Sequence, residues 1–286
     1  MALRGWLQWR KGTREEPLDA QLNVYNVEAM LARRRTRYEC LRIDSNNNCN
    51  VQCVYCHNHR SAALVPTESL LAFLAERVIA VRYVQMGCVM EPTLDVRLAD
   101  LLLAVRRIRP PEHALVLQTN GILLNRHDHA KLADAGLTRL AVSIDSADLQ
   151  VHKALRGGTS LAKVGDNVRR FHAACPAADL HFITTVTRLN LHTLEDLVRF
   201  GLDLGVSRFV LREVFYHPGN DVVDHARMPE LLLRPGEYVA MANSLRERFV
   251  DQAFEFADEA QLLATEQKML ADSLRPMPLN EDQVRR

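Results

Sequence analysis

Three cysteines, Cys49, Cys53 and Cys56, fall within eight residues in the pattern C-x3-C-x2-C. Thiols this close can converge on one iron–sulfur cluster. Cubane clusters are held by cysteine thiolates, normally four of them, so a loop that offers three leaves one iron open to a small molecule. An open iron points to chemistry rather than electron storage. The competing reading is a structural zinc site or unpaired core cysteines. Zinc sites favour two ligand pairs at C-x2-4-C spacing with the second pair far along the chain, and no second pair follows here. Six cysteines, three of them crowded into one loop, also fit metal binding in a reducing compartment better than a disulfide framework.

The same spacing, with Tyr55 directly before the third cysteine, resembles the signature of the radical S-adenosylmethionine (radical SAM) enzymes, and the likeness runs from about Cys40 to Glu213. The resemblance implies that Cys49, Cys53 and Cys56 ligate three irons of a [4Fe–4S] cluster while Tyr55 lies beside an adenine. It further implies that the open iron chelates the amino and carboxylate groups of S-adenosylmethionine. One electron from the cluster then breaks the sulfonium, and the 5′-deoxyadenosyl radical abstracts hydrogen from a substrate. The implied partners are a small-molecule substrate and a reductase such as flavodoxin or ferredoxin.

Parallel barrels gather their active sites at the C-terminal ends of the strands, so the polar residues there are candidates for the site. Gly87-Cys-Val-Met-Glu-Pro-Thr93 is similar to the superfamily's Gly-Gly-Glu-Pro element, which makes Glu91 the expected partner of the cofactor amino group. Val89 and Met90 stand where two glycines are usual, and helix capping is the competing role for Glu91. Asn120, in Thr119-Asn-Gly121, is expected to shape the cofactor pocket. Ser143 and Asp145 share a face by the two-residue period, and the resemblance implies a polar group here against ribose hydroxyls, with capping by Asp145 or Ser146 as the alternative. Arg156, four residues after His152, offers a planar fork of donors to a carboxylate, and helix-surface charge is its alternative. Asn190, beyond Thr185 and Thr187, closes a Val-Thr-Arg-x-Asn stretch that resembles the same place in relatives, which implies a position near the methionine carboxylate. Arg212, paired with Glu213 or free to meet substrate, is the candidate for a substrate anion. Cys88 is the candidate hydrogen donor to a substrate radical, although a buried free cysteine usually acts as a small hydrophobe. His57 and His59 read as hydrogen-bonding or exposed loop residues rather than metal ligands.

No cysteine follows Cys175, which predicts a single cluster. Too few residues precede Cys40 for a peptide-recognition domain of the kind several relatives carry. The leading expectation is therefore hydrogen abstraction from a small metabolite, ending in epimerisation, oxidation or rearrangement. A peptide- or protein-modifying enzyme, including a glycyl-radical activase, is the first alternative. A non-catalytic iron–sulfur sensor is the second.

The elements that must position these groups alternate along the chain. Short apolar, β-branched runs are expected as strands at residues 40–44, 81–86, 114–118, 139–143, 180–186 and 208–212. Helical patterns fall at 67–80, 94–107, 127–135, 161–174 and 194–204. The fold class is α/β, a partial (βα)6 TIM-like barrel in which residues 40–214 form the core. Residues 1–39 read as a helical lead, and residues 215–286 as a C-terminal helical extension that caps the open side.

Lys plus Arg number 36 against 35 Asp plus Glu, a balance that gives no support for a nucleic-acid partner. Arg33-Arg34-Arg35 with Arg37 is the local exception, and a solvated helix end explains it. No secretion signal opens the sequence and no run reaches the ~18 apolar residues that span a bilayer. The expectation is a cytoplasmic protein with no membrane partner.

Overall fold

A computed structural model describes residues 38–77, 81–109, 113–157, 160–258 and 261. The expected N-terminal lead, the arginine run, Pro110-Pro111 and the last part of the C-terminal extension lie outside the described residues. The six expected strands are present as β1 (Tyr38–Ile43), β2 (Val81–Met86), β3 (Ala114–Thr119), β4 (Arg139–Ser143), β5 (Asp179–Val186) and β6 (Arg208–Glu213). Helices separate them: α1 (Thr67–Arg77), α2 (Leu98–Ile108), α3 (His129–Asp134), α4 (Leu149–Arg156), α5 (Leu161–Ala174) and α6 (Leu194–Asp203). After β6 come α7 (Met228–Leu231), α8 (Glu237–Arg248) and a further strand, β7 (Ala253–Ala257).

All seven strands pair in parallel in the order β1 to β7, and β1 does not pair with β7, so the sheet is a half-barrel with two edges. The seventh strand is a departure from the expectation of helices alone after residue 215. Its five residues Ala-Phe-Glu-Phe-Ala follow a polar helix and are only half buried, which makes the apolar signal weak. Pairing with β6, in the register Arg208↔Ala253 to Arg212↔Ala257, and packing of Phe254 on Phe209 supply what local sequence does not. Two helices, not one, follow β4. The first, α4, starts where the Asp148 carboxylate accepts from the amides of Gln150 and Val151. The start of α2 falls at Leu98 rather than Leu94 because Pro92–Leu94 forms a separate 3-10 turn.

The period of two residues divides each strand between two environments. Leu41, Ile43, Val84, Met86, Leu115, Leu117, Leu140, Val142, Phe182 and Leu211 face the helices and are almost completely buried in one core. Burial of such side chains contributes about 1.5–3 kcal/mol each, which makes this face the main source of stability. The alternate positions carry Arg42, Tyr83, Gln85, Gln118, Ser143, His181, Thr185 and Arg212, so the concave side is polar. A smaller apolar cluster of Leu155, Val214, Val223, Met228 and Leu231 packs on Val54 and Tyr55, binding the cysteine loop to α4 and the segment after β6.

Candidate active site

The cysteine loop is held by the three asparagines that precede it. Asn46 Nδ2 donates to the Glu91 carbonyl (3.0 Å), Asn46 Oδ1 accepts from the Asn48 amide (2.8 Å), and Asn48 Oδ1 accepts from the Cys49 amide (2.8 Å). Asn47 bonds Ser61 through its side chain and Ala63 through its amide, closing the loop on itself. Short amide side chains suit this work because they pair with nearby backbone in place of regular ladders. On the far side the Val54 amide donates to the Leu155 carbonyl at 2.9 Å. There Gly157 ends α4 with φ +62°, and a Cβ would meet the Gln52 carbonyl at 2.9 Å. Only glycine allows helix and loop to approach so closely.

Cys49, Cys53, Cys56, Tyr55, Cys88, Glu91, Asn120, Ser143, Arg156 and Arg212 all line one cavity of about 310 Å³. Its wall is built from the cysteine loop and the C-terminal ends of β2 to β6. Asp145 and Asn190 are absent from that wall, contrary to the roles expected of them. Both are completely buried. The Asp145 carboxylate accepts from the Tyr55 hydroxyl, from Arg156 Nε (2.9 Å) and from the Thr185 amide (3.0 Å). Asn190 donates to the Asp145 and Thr185 carbonyls (2.7 and 3.0 Å) and accepts from the Thr187 amide at 2.7 Å. Donors of the protein thus already engage both oxygens of the Asp145 carboxylate, and the Asn190 amide is paired on both its nitrogen and its oxygen. Burial holds the Tyr55 phenol well above its ordinary range, with Asp145 adding to it, and Asp145 keeps the buried Arg156 guanidinium charged. His152, one turn before Arg156, is buried beneath the site, and desolvation pulls its imidazole down to about 4.

A second buried carboxylate fastens the ends of β2 and β3. Glu91 Oε1 accepts from the Thr93 amide (3.0 Å), the Thr93 hydroxyl (2.5 Å) and the Thr119 hydroxyl (2.6 Å), while Oε2 accepts from the Asn120 amide (2.7 Å). Glu91 is thus both on the cavity wall and the cap of the 3-10 turn at Pro92–Leu94. Asn120 reaches across to Asn50 at 2.7 Å. Asp44, at the end of β1, is a residue that sequence reasoning missed. Its carboxylate accepts from the amides of Cys88, Val89 and Met90 at 2.8, 3.2 and 3.3 Å, fixing the stretch that departs from the glycine-rich pattern. Burial, with the Glu91 charge nearby, raises its pKa against the pull of those amides. The only advance signal was an acid at the carboxyl end of the first strand. Gly87, with φ +85°, lies where a Cβ would stand 2.2 Å from the Gln118 carbonyl.

Residues 43–201, more than half of the chain, match the family described as the Radical SAM superfamily. The chain belongs to that superfamily. It is 30% identical over 186 residues to the probable GTP 3′,8-cyclase of Sulfurisphaera tokodaii, covering 63% of this chain and 56% of that one. It is 33% identical over 218 residues to GTP 3′,8-cyclase 2 of Mycobacterium tuberculosis, covering 68% and 58%. The chain therefore spans a little over half the length of these relatives. The fold is shared with SuiB of Streptococcus suis, solved bound to S-adenosylmethionine, at a TM-score of 0.63 and 16% identity over 78% of this chain and 51% of that one.

Radical SAM enzymes use a [4Fe–4S] cluster and S-adenosylmethionine, and the donor set here fits such a cluster. Among the described residues no three His, Cys, Asp or Glu side chains converge on a single metal ion. A cubane does not require that, because each thiolate binds its own iron. Burial pushes the Cys53 thiol up to about 11, so the incoming metal must displace its proton. Arg60 supports the loop, with Nη1 3.3 Å from the Cys49 carbonyl and Nη2 3.9 Å from Cys56 Sγ. His59 pairs with Asp221 at 3.0 Å, and His57 packs against His217 with ring centroids 4.3 Å apart. Across the cavity, Arg212 makes no hydrogen bond or ion pair among the described residues. It faces Glu255, Tyr83 and Cys88, with a second guanidinium, Arg42, beside it, and burial followed by that repulsion lowers its pKa. No helix among the described residues is long and apolar enough to cross a membrane.

Proposed function

We propose that this radical SAM enzyme abstracts hydrogen from a small, anion-bearing metabolite at a single [4Fe–4S] cluster held by Cys49, Cys53 and Cys56. The observation that carries the reading is the convergence of three cysteines and five strand ends on one cavity. Its volume of about 310 Å³ lies at the small end of the ~300–1,000 Å³ usual for small-molecule sites. When bound, the cluster and S-adenosylmethionine supply the 5′-deoxyadenosyl radical. The chain's own residues orient and enclose. Tyr55 is held by Asp145 at the edge of the loop, Asn120 and Ser143 present polar groups from β3 and β4, and Arg156 presents a guanidinium on the cavity wall. Asp145 and Asn190 act from behind as positioning residues.

Arg212 receives the anionic group of the substrate. A guanidinium on the cavity wall whose attraction to Glu255 is outweighed by burial and by the repulsion of Arg42 is costly until an anion completes it. The relatives named GTP 3′,8-cyclase make a nucleoside triphosphate the first compound to test. Cys88 lines the same wall and can return a hydrogen atom to a substrate radical, after which an external one-electron donor and a proton restore the thiol. Deuterated substrate separates the outcomes: label enters 5′-deoxyadenosine irreversibly in epimerisation and oxidation, and cycles in rearrangement. Anaerobically reconstituted protein is expected to show a cubane signal by electron paramagnetic resonance after reduction and to release 5′-deoxyadenosine. Absence of an inorganic centre, or full turnover in Cys53→Ala, would overturn the reading.

A further inference from the structure

A second concavity, of about 850 Å³, opens on the other side of the cysteine loop. Cys53, Cys56, Asn58 and Arg60 contribute to both hollows, so the loop is the wall between them. The inner hollow is bounded by strand ends, where the reacting groups gather. The outer one is bounded by the end of α4 and by residues 222–227, and it contains none of those strand-end groups. Its lining carries Arg60, Lys153 and Arg227 against one carboxylate, Asp224. Asp221, in the same segment, is engaged by His59 at 3.0 Å. Lys153 is exposed on the last turn of α4, and Arg227 is half buried opposite it.

Chemistry in the inner cavity consumes an electron that must come from outside, and electron transfer slows steeply with distance. The donor therefore has to approach where cluster ligands reach the surface. Cys53 and Cys56 do so on the floor of the outer hollow. We propose that this hollow is the docking face for an acidic one-electron donor protein, with Lys153 and Arg227 supplying the complementary charge. One electron passes from donor to cluster and no bond is made or broken. Charge complementarity of this kind governs encounter rate and salt dependence. The inference rests on the cluster assigned above, but docking itself does not require the cluster to be loaded.

The test uses an acidic flavodoxin and the full-length protein, both cluster-free and reconstituted. Lys153→Glu with Arg227→Glu is expected to weaken flavodoxin binding by calorimetry tenfold or more, and to flatten its dependence on salt. Reduction of the cluster by flavodoxin hydroquinone is expected to slow by a similar factor, while reduction by photoreduced deazaflavin keeps its rate. Arg107→Glu on the exposed side of α2 is the charge control, and Lys153→Gln with Arg227→Gln serves if the reversed pair fails to fold. Unchanged binding in the double variant, or equal weakening in the control, overturns the proposal. If the protein takes up no cluster, the functional reading fails, while binding to the cluster-free protein still decides the docking face.

Discussion

The two sides of the cavity rim differ in how their charges are satisfied. On the side of β1 to β5, the carboxylates of Asp44, Glu91 and Asp145 are each filled by donors of the protein. On the β6 side Arg212 makes no hydrogen bond to a carboxylate among the described residues, and burial with the repulsion of Arg42 outweighs its attraction to Glu255. Groups fixed in advance cost no reorganisation when a ligand arrives, which suits the part of a site that always holds the same cofactor. A charge left incomplete suits the part that must recognise a substrate, because only the correct anion removes its penalty.

The largest effect is expected at the loop both sides enclose. Cys53→Ala leaves two thiolates, and 5′-deoxyadenosine formation should fall about a thousandfold or more because the cubane loses a ligand it cannot replace. Iron content and the reduced-cluster signal are the companion measurements. Asp145→Ala is expected to act through stability instead. It strands Arg156 in a dry site and frees Tyr55, which should cost about 3–5 kcal/mol in urea unfolding, as when one partner of a buried pair is removed. A cost below that of an ordinary surface change would mean that the first side of the rim is not fixed in advance.

Much of this division was legible from residue types alone. The cysteine loop, Glu91, Asn120, Ser143 and Arg212 reach the cavity because strand ends in a parallel sheet converge whatever the details of packing, and Arg156 reaches it from the end of α4. Asp145 and Asn190 show the limit of that logic. Two residues at strand ends look equally available in one dimension, and only the third dimension reveals that Tyr55, from 90 residues earlier, already occupies Asp145. Asp44 was hidden for the same reason, since its donors lie 44 to 46 residues away. β7 was obscured because its pairing energy comes from β6 rather than from its own alternation.

Arg212→Met sharpens the contrast from the other side. Loss of a charge-assisted contact should raise KM about ten- to hundredfold, equivalent to about 1.5–3 kcal/mol of binding. Folding stability should hold or rise by up to about 1 kcal/mol, because the change removes the desolvation cost of the Arg212 charge and its repulsion by Arg42. A fall in stability as large as that of Asp145→Ala would show that Arg212 is a structural ion after all.

The smallest effect is expected from a pair that looks identical on paper. Arg248 Nη1 lies 2.9 Å from Glu195 Oε2, the same separation as Arg156 Nε from Asp145 Oδ2. The side chains of the first pair are 59% and 35% exposed, those of the second 8% and 0%. Water screens the first pair and competes for both partners, so Arg248→Ala should cost at most about 1 kcal/mol in urea unfolding. The same truncation at Arg156 strands Asp145 in a dry site and should cost several times more. If the two losses proved equal, burial would not be what separates a positioning pair from a surface one, and the distinction drawn between the sides of the rim would lose its physical basis.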